Sequence, residues 1–307
     1  MQKSNDTVRS TFGRHESFPL RFSWLTKGFR TWIDNPEVFE QDDAVVLLGV
    51  GKNMVDAIRY WMVAAGISTS EGRALKPTGI GQRIFARDGW DPYLEDDATI
   101  WLLHWNLASN LTDATTLFWF FNRFHKPEFT SSELAVALGD FAREELRARP
   151  APATVKGDIT LLLRMYEPTS ESRSTPIEEA LDSPLSLMGL IRSLDSPYHQ
   201  SRPEFRLGLP VGPFGYALAD LFRMLGQSSV PVRRLMHAEG LLPALGSVFR
   251  LTEDALVAKI EEFVQWRPGY FELRETAGLH QVYQLQPLEP LDVLAWHYAA
   301  FSLKEAA

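Results

Sequence analysis

A glycine-punctuated break, Leu48-Gly49-Val50-Gly51-Lys52, interrupts an otherwise helical run and constrains the fold more than any other feature of the chain. Residues Asp43 to Ile67 read DAVVLLGVGKNMVDAIRYWMVAAGI. A short apolar helix ends at Leu48-Gly49-Val50, because glycine enters the left-handed conformation of a helix C-cap without steric cost. A second helix opens at Gly51-Lys52-Asn53. In it Val55, Ile58, Met62 and Ala65 recur at i, i+3, i+7 and i+10, which is one apolar stripe and hence one buried face. Lys52, Asp56 and Arg59 share the opposite face, and Gly66 supplies a helix stop.

Short helix, tight turn, second helix and glycine stop form the helix-turn-helix pattern, in which the second helix enters the major groove of DNA. The segment resembles the helix-turn-helix of many bacterial regulators. Leu75 to Phe85, rich in Gly and Pro, is expected to form a wing with Lys76 and Arg83 near its tip. The predicted DNA contacts are therefore Lys52, Asn53, Arg59, Lys76 and Arg83. The alternative is a winged helix used only for protein interaction. Gly49-Val50-Gly51-Lys52 is not a Walker A loop: Val46 stands where its first glycine is needed, and Asn53 replaces Ser or Thr. No nucleotide cofactor is expected; a backbone phosphate at the helix start suits the segment better.

Composition narrows the chemistry. The chain of 307 residues has 45% apolar and 23% charged residues, ordinary for a globular protein. It has no cysteine, which excludes disulfides, thiolate nucleophiles, sulfur carriage and cysteine-ligated metals. Neither a signal peptide nor a membrane span is read in it, and a cytoplasmic protein is expected. Most of its 9 Trp and 19 Phe belong in the core. The net charge of −8 argues against a generally basic nucleic-acid coat, but not against one local basic face. Residues 1–30 carry Lys3, Arg9, Arg14, Arg21, Lys27 and Arg30 against Asp6 and Glu16, and Arg192 to Arg234 is also arginine-rich.

Two polar groups offer chemistry. His15 and Glu16, with Arg21 and Lys27, could supply a base and cations for phosphodiester cleavage; these four are the predicted catalytic residues. The alternative is an arm whose Phe18 and Trp24 pack while its charges stay wet. Asp88, Asp91, Glu95, Asp96 and Asp97 precede a helix, so Asp96 or Asp97 caps it and the others complement its dipole. The sharper reading makes Asp91 and Glu95 ligands of Mg²⁺ or Mn²⁺. Established nuclease signatures are missing: no acid stands two residues before a lysine, and no His-Asn-His pattern occurs. A nucleophile elbow and a dinucleotide fingerprint are absent as well.

Pro150 to Ala153 and the stretch Glu167 to Pro176 read as breaks. They divide the chain into a winged helix-turn-helix domain with a basic arm (1–149), a bridging element and linker (150–186), and a helical domain (187–307). In the last, Tyr216–Phe222 and Thr252–Trp266 are helical, with Thr252 as cap. Tyr270–Leu285 reads strand, glycine turn, strand, giving either a second winged module or a β-capped helical domain. Leu291–Leu303 closes the chain as a helix whose Trp296 and Tyr298 pack. The expected class is mainly α with small β-hairpins.

Several segments together resemble one bacterial family of long unassigned function. They are Gly13-Arg14-His15-Glu16-Ser17-Phe18 with Leu20-Arg21 and Trp24-Leu25, Leu48 to Met54, Asp88 to Pro92, and Ala277-Gly278-Leu279. The family looks like the B component of the Ssp-type DNA phosphorothioation defence system, and the resemblance covers both halves. Arg14 immediately before His15 is a small departure from its pattern. The resemblance implies a protein that nicks one strand of double-stranded DNA so that sulfur can enter. Its implied partners are an ATPase and a sulfonucleotide-reductase-like sulfur-transfer protein. The competing expectation is a non-catalytic transcription regulator or DNA-positioning adaptor.

Overall fold

The computed structural model describes residues 8–168 and 183–305. Lys3 and Asp6 of the arm, and Thr169–Pro176 of the expected linker, lie outside them. The chain is mainly helical, with small antiparallel sheets. Among the described residues no helix is long and apolar enough to cross a membrane.

The first unit follows the glycine punctuation. Helix α1 (Phe22–Asp34) crosses α3 (Lys52–Ala64) at Gly28, where a Cβ would fall 2.5 Å from Ile58 Cγ2. Between them α2 (Ala44–Leu48) ends at Gly49 with φ 59°, and the Val50 N–H returns to the Val45 carbonyl at 3.2 Å. The stripe is buried as its spacing requires: Val55, Ile58, Met62 and Ala65 all face the core. Gly66 (φ 72°) ends the run, and the Ile67 N–H donates to the Met62 carbonyl. A hairpin follows, β1 (Ser68–Glu71) with β2 (Ala74–Pro77).

The expected wing at Leu75–Phe85 needs correction. The hairpin lies earlier, and Gly79–Phe85 is helix α4, capped by Thr78 Oγ1, which accepts from the Gly81 N–H at 3.0 Å. Gly81 is there for close packing, since its Cβ would lie 2.1 Å from the Ile67 carbonyl oxygen. Arg83 therefore sits in the last turn of α4, its guanidinium 5.4 Å from the Trp90 ring, and not at a wing tip.

Helices α5 (Asp97–Ser109) and α6 (Thr115–Asn122) are buried on nearly every side and form the aromatic centre of the molecule. His104 of α5 donates to the Val248 carbonyl and accepts from the Tyr166 hydroxyl, each at 2.8 Å. Burial lowers its pKa to about 3, so it is held neutral. Arg250 is also buried; it donates to the carbonyls of Phe120, Phe121 and Phe124, and burial lowers its pKa to about 9.

Beyond α5 one sheet arrangement occurs twice, with two α-helices between strand and hairpin among the described residues of the first unit and three in the second. Helix α6, strand β3 (Glu128–Thr130), helices α7 (Ser131–Glu144) and α8 (Pro152–Tyr166), then β4 (Arg192–Ser193) and β5 (Tyr198–Gln200) make a sheet of order β3-β5-β4. Helix α9 (Val211–Leu225), strand β6 (Ser229–Pro231), helices α10 (Val232–Met236), α11 (Leu245–Val248) and α12 (Glu253–Trp266), then β7 (Phe271–Thr276) and β8 (Leu279–Gln284) make β6-β8-β7. In each, the strand before the helices pairs with the second strand of the hairpin. Thr252 caps α12, and Ala277 and Gly278, both at positive φ, turn the last hairpin. Helix α13 (Pro290–Glu305) packs on α9, and Trp296 lies against Tyr270 and the Arg267 guanidinium.

Candidate nucleic-acid interface

The start of α3 is open. Gly51 is its N-cap and offers no side chain to the first N–H groups, and a Cβ placed on Gly49 or Gly51 would meet nothing within 4 Å. Lys52, Asn53 and Asp56 are exposed on this helix. The turn borders a groove of about 670 Å³ whose other wall is the start of α1, with Arg21, Trp24 and Lys27. Arg21 stacks its guanidinium over Trp24 at 5.3 Å. Two of the four catalytic candidates thus stand at the glycine turn. A 13-residue helix with uncapped N–H groups and two flanking cations is suited to an anion such as a DNA phosphate.

His15 and Glu16 stand elsewhere. His15 is buried, donates from Nε2 to Asp158 Oδ1 at 2.8 Å, and accepts at Nδ1 from the Ser17 N–H at 3.0 Å. The same carboxylate accepts from the Gly13 N–H and the Thr116 hydroxyl. Both ring nitrogens are committed, so the imidazole pins the N-terminal arm between α6 and α8. Asp158 is 143 residues away in sequence, and no local spacing signals it. The arm also touches α3: Trp61 Nε1 donates to the Phe18 carbonyl at 3.0 Å. Tyr60 beside the knot has its pKa raised by burial and by Asp158 and Asp113. Glu16 is exposed and lines a second groove, of about 680 Å³, with Arg9, Arg14, Asp56 and Arg59.

The remaining predicted contacts are partly engaged. Arg59 donates to the Arg73 carbonyl at 2.6 Å and so tethers the tip of the β1–β2 hairpin to α3. Lys76 pairs with Glu71 across that hairpin at 2.7 Å, with both side chains exposed.

The acidic cluster is a capping network. Asp96 caps α5 by accepting from the Ala98 N–H at 2.9 Å. Asp91 is buried and accepts from the backbone N–H groups of Glu95 and Asp96 and from the Thr99 hydroxyl. His297 of α13 donates to Asp96 at 2.8 Å, and Thr99 meets the Tyr298 hydroxyl at 2.7 Å. Glu95 meets Asp91 through its backbone, not its carboxylate. Among the described residues no group of three or more His, Asp or Glu could hold a metal ion. The Asp91 carboxylate is taken up by these bonds to the loop and to α5.

Comparison with known proteins gives two results and one blank. Two solved structures are similar over 95% of this chain and 88% of theirs: a magnesium-bound SspB (30% identity, TM-score 0.85) and a second SspB structure (29% identity, TM-score 0.84). No curated protein matches. The pattern of one family of unknown function, DUF4007, runs from residue 12 to residue 298, through the arm, the glycine turn and both repeated units, and the protein belongs to that family.

Proposed function

We propose that the protein is the DNA-acting B component of an Ssp-type phosphorothioation defence system, binding duplex DNA and opening one strand so that sulfur can enter. The observation that carries this reading is the groove at the α2–α3 turn, which Arg21 and Lys27 line together with Gly49 and Gly51, at the start of a helix that has no side-chain cap and exposes Lys52 as its first residue. Likeness to SspB supports the setting. On this reading α1 to α3 with the β1–β2 hairpin act as a winged helix-turn-helix, and Lys52 and Asn53 enter the duplex. Arg59 orders the wing, whose Lys76 reaches the backbone, and Arg83 lies behind it. Phosphodiester cleavage needs cations for the charge that grows on phosphate, and Arg21 and Lys27 supply them. Glu16 is the exposed acid of the arm. An ATPase and a sulfur-transfer protein complete the system, and this chain uses no nucleotide.

Supercoiled plasmid with Mg²⁺ or Mn²⁺ tests the proposal. Wild-type protein is expected to yield open circles, with slower nicking by Arg21→Ala, Lys27→Ala and Glu16→Gln. Lys52→Ala is expected to weaken binding to all sequences and to shallow the salt slope by about one.

One observation favours a second reading, a non-catalytic DNA-positioning adaptor: the only histidine among the catalytic candidates is buried with both nitrogens engaged. Plasmid that stays supercoiled while bound by wild-type protein would establish it.

A further inference from the structure

Helix α8 follows α7 as α3 follows α2, and its solvent face is also basic. Lys156, Thr160 and Arg164 recur at i, i+4 and i+8 and are all exposed, and Arg149 is exposed just before the helix. Neither Lys156, Arg164 nor Arg149 pairs with an acid among the described residues. Exposed cations elsewhere on this unit do pair, as Lys126 with Glu133 and Arg143 with Asp140. Eight residues of helix separate Lys156 and Arg164 by about 12 Å, close to the width of the major groove, so one side chain can reach each of its walls.

The pinned arm connects this face to α3. Its Gly13 N–H is held by Asp158 of α8, and a Cβ on Gly13 would strike Thr154 of the same helix at 2.8 Å. On the other side the arm meets Tyr60 and Trp61 of α3. Arg14, next to Gly13 on this arm, is exposed and lines the groove along α3.

We infer that Arg14, Arg149, Lys156 and Arg164 form a second binding site for the phosphate backbone of duplex DNA, which extends the track that starts at the α2–α3 turn. The inference rests on the DNA-binding reading above. It predicts a footprint longer than one helix-turn-helix unit, with sequence-independent contacts on its α8 side.

The test measures binding of the full chain to duplexes of about 12 and about 30 base pairs, roughly one and three helical turns, across a salt series. The double variant Lys156→Ala/Arg164→Ala is expected to bind the short duplex as wild type does. On the long duplex its salt slope is expected to shallow by about two, one for each phosphate lost. Arg14→Ala is expected to shallow the long-duplex slope by about one. Lys52→Ala should weaken both duplexes. An unchanged slope for the double variant on the long duplex overturns the second site, and a retained Lys52 effect then leaves the first site standing. Equal losses on both duplexes also overturn it, by placing these residues within the first footprint. Failure of the wild type to bind either duplex overturns both readings.

Discussion

The unit from α6 to β5 and the unit from α9 to β8 share one sheet order, yet α8 of the first and α12 of the second face solvent with opposite charge. Helix α8 exposes Lys156, Thr160 and Arg164; α12 exposes Glu253, Asp254, Glu261 and Glu262. Their inner faces are alike, Val155, Ile159 and Leu162 in one and Leu256, Ile260 and Phe263 in the other. The fold needs only the apolar spacing, so the outer face is free to carry whatever the unit recognises. The pair teaches that a repeated scaffold does not imply a repeated surface charge.

A buried ionic residue occupies the seventh position of each helix, Asp158 in α8 and Lys259 in α12. Their partners differ. Asp158 serves His15, the Gly13 N–H and Thr116, whereas Lys259 donates to the Leu209 carbonyl and to the half-exposed Glu262. Asp158→Ala should therefore cost about 3–5 kcal/mol, because it strands three donors at once. Lys259→Met should cost about 1–2 kcal/mol, since it keeps most of the packing and loses two hydrogen bonds, one of them to a half-exposed carboxylate that water can solvate. Urea denaturation of both variants measures the gap, and equal costs would break the contrast.

The core between the two units should show itself in acid. His104 has an ordinary pKa near 6.5 when unfolded and about 3 when folded, so the unfolded chain binds the extra proton. Its contribution is fully present above pH 6.5 and is lost progressively as pH falls to about 3, on the order of several kcal/mol. His104→Gln, which can keep one hydrogen bond without titrating, should flatten thermal stability across that window. A wild-type profile for the variant would assign the acid loss to other groups.

Capping gives the smallest contrast. Thr252 caps α12 by accepting from the Ala255 N–H at 3.3 Å, whereas α8 begins at Ala151-Pro152 with no side-chain cap. Thr252→Ala should cost about 1 kcal/mol, and Ala151→Ser should gain a similar amount or less, both read by thermal melting.

Local periodicity alone determined a good part of this architecture. The stripe of α3, the Gly49 and Gly66 stops, a cap at Asp96 or Asp97, the cap at Thr252, and the hairpin around Ala277-Gly278 were legible because each depends on residues within a few positions of one another. Helix α4 was misread as a wing for a related reason. Gly79 and Gly81 look like turn residues in sequence, and only the approach of the Ile67 carbonyl reveals that Gly81 serves packing. Of the candidate site, Lys52 and Asn53 were legible as exposed residues at a helix start. That Arg21 and Lys27 line the groove at the glycine turn while His15 turns inward to Asp158 was decided by tertiary structure, since helix crossing sets which side chains meet. The three-residue strands β3 and β6 carry too little pattern of their own; each becomes a strand only by pairing with a hairpin at least 50 residues further along the chain. Spacing specifies which face of an element is buried, but the partner on that face comes from a distant part of the chain, and only packing supplies it.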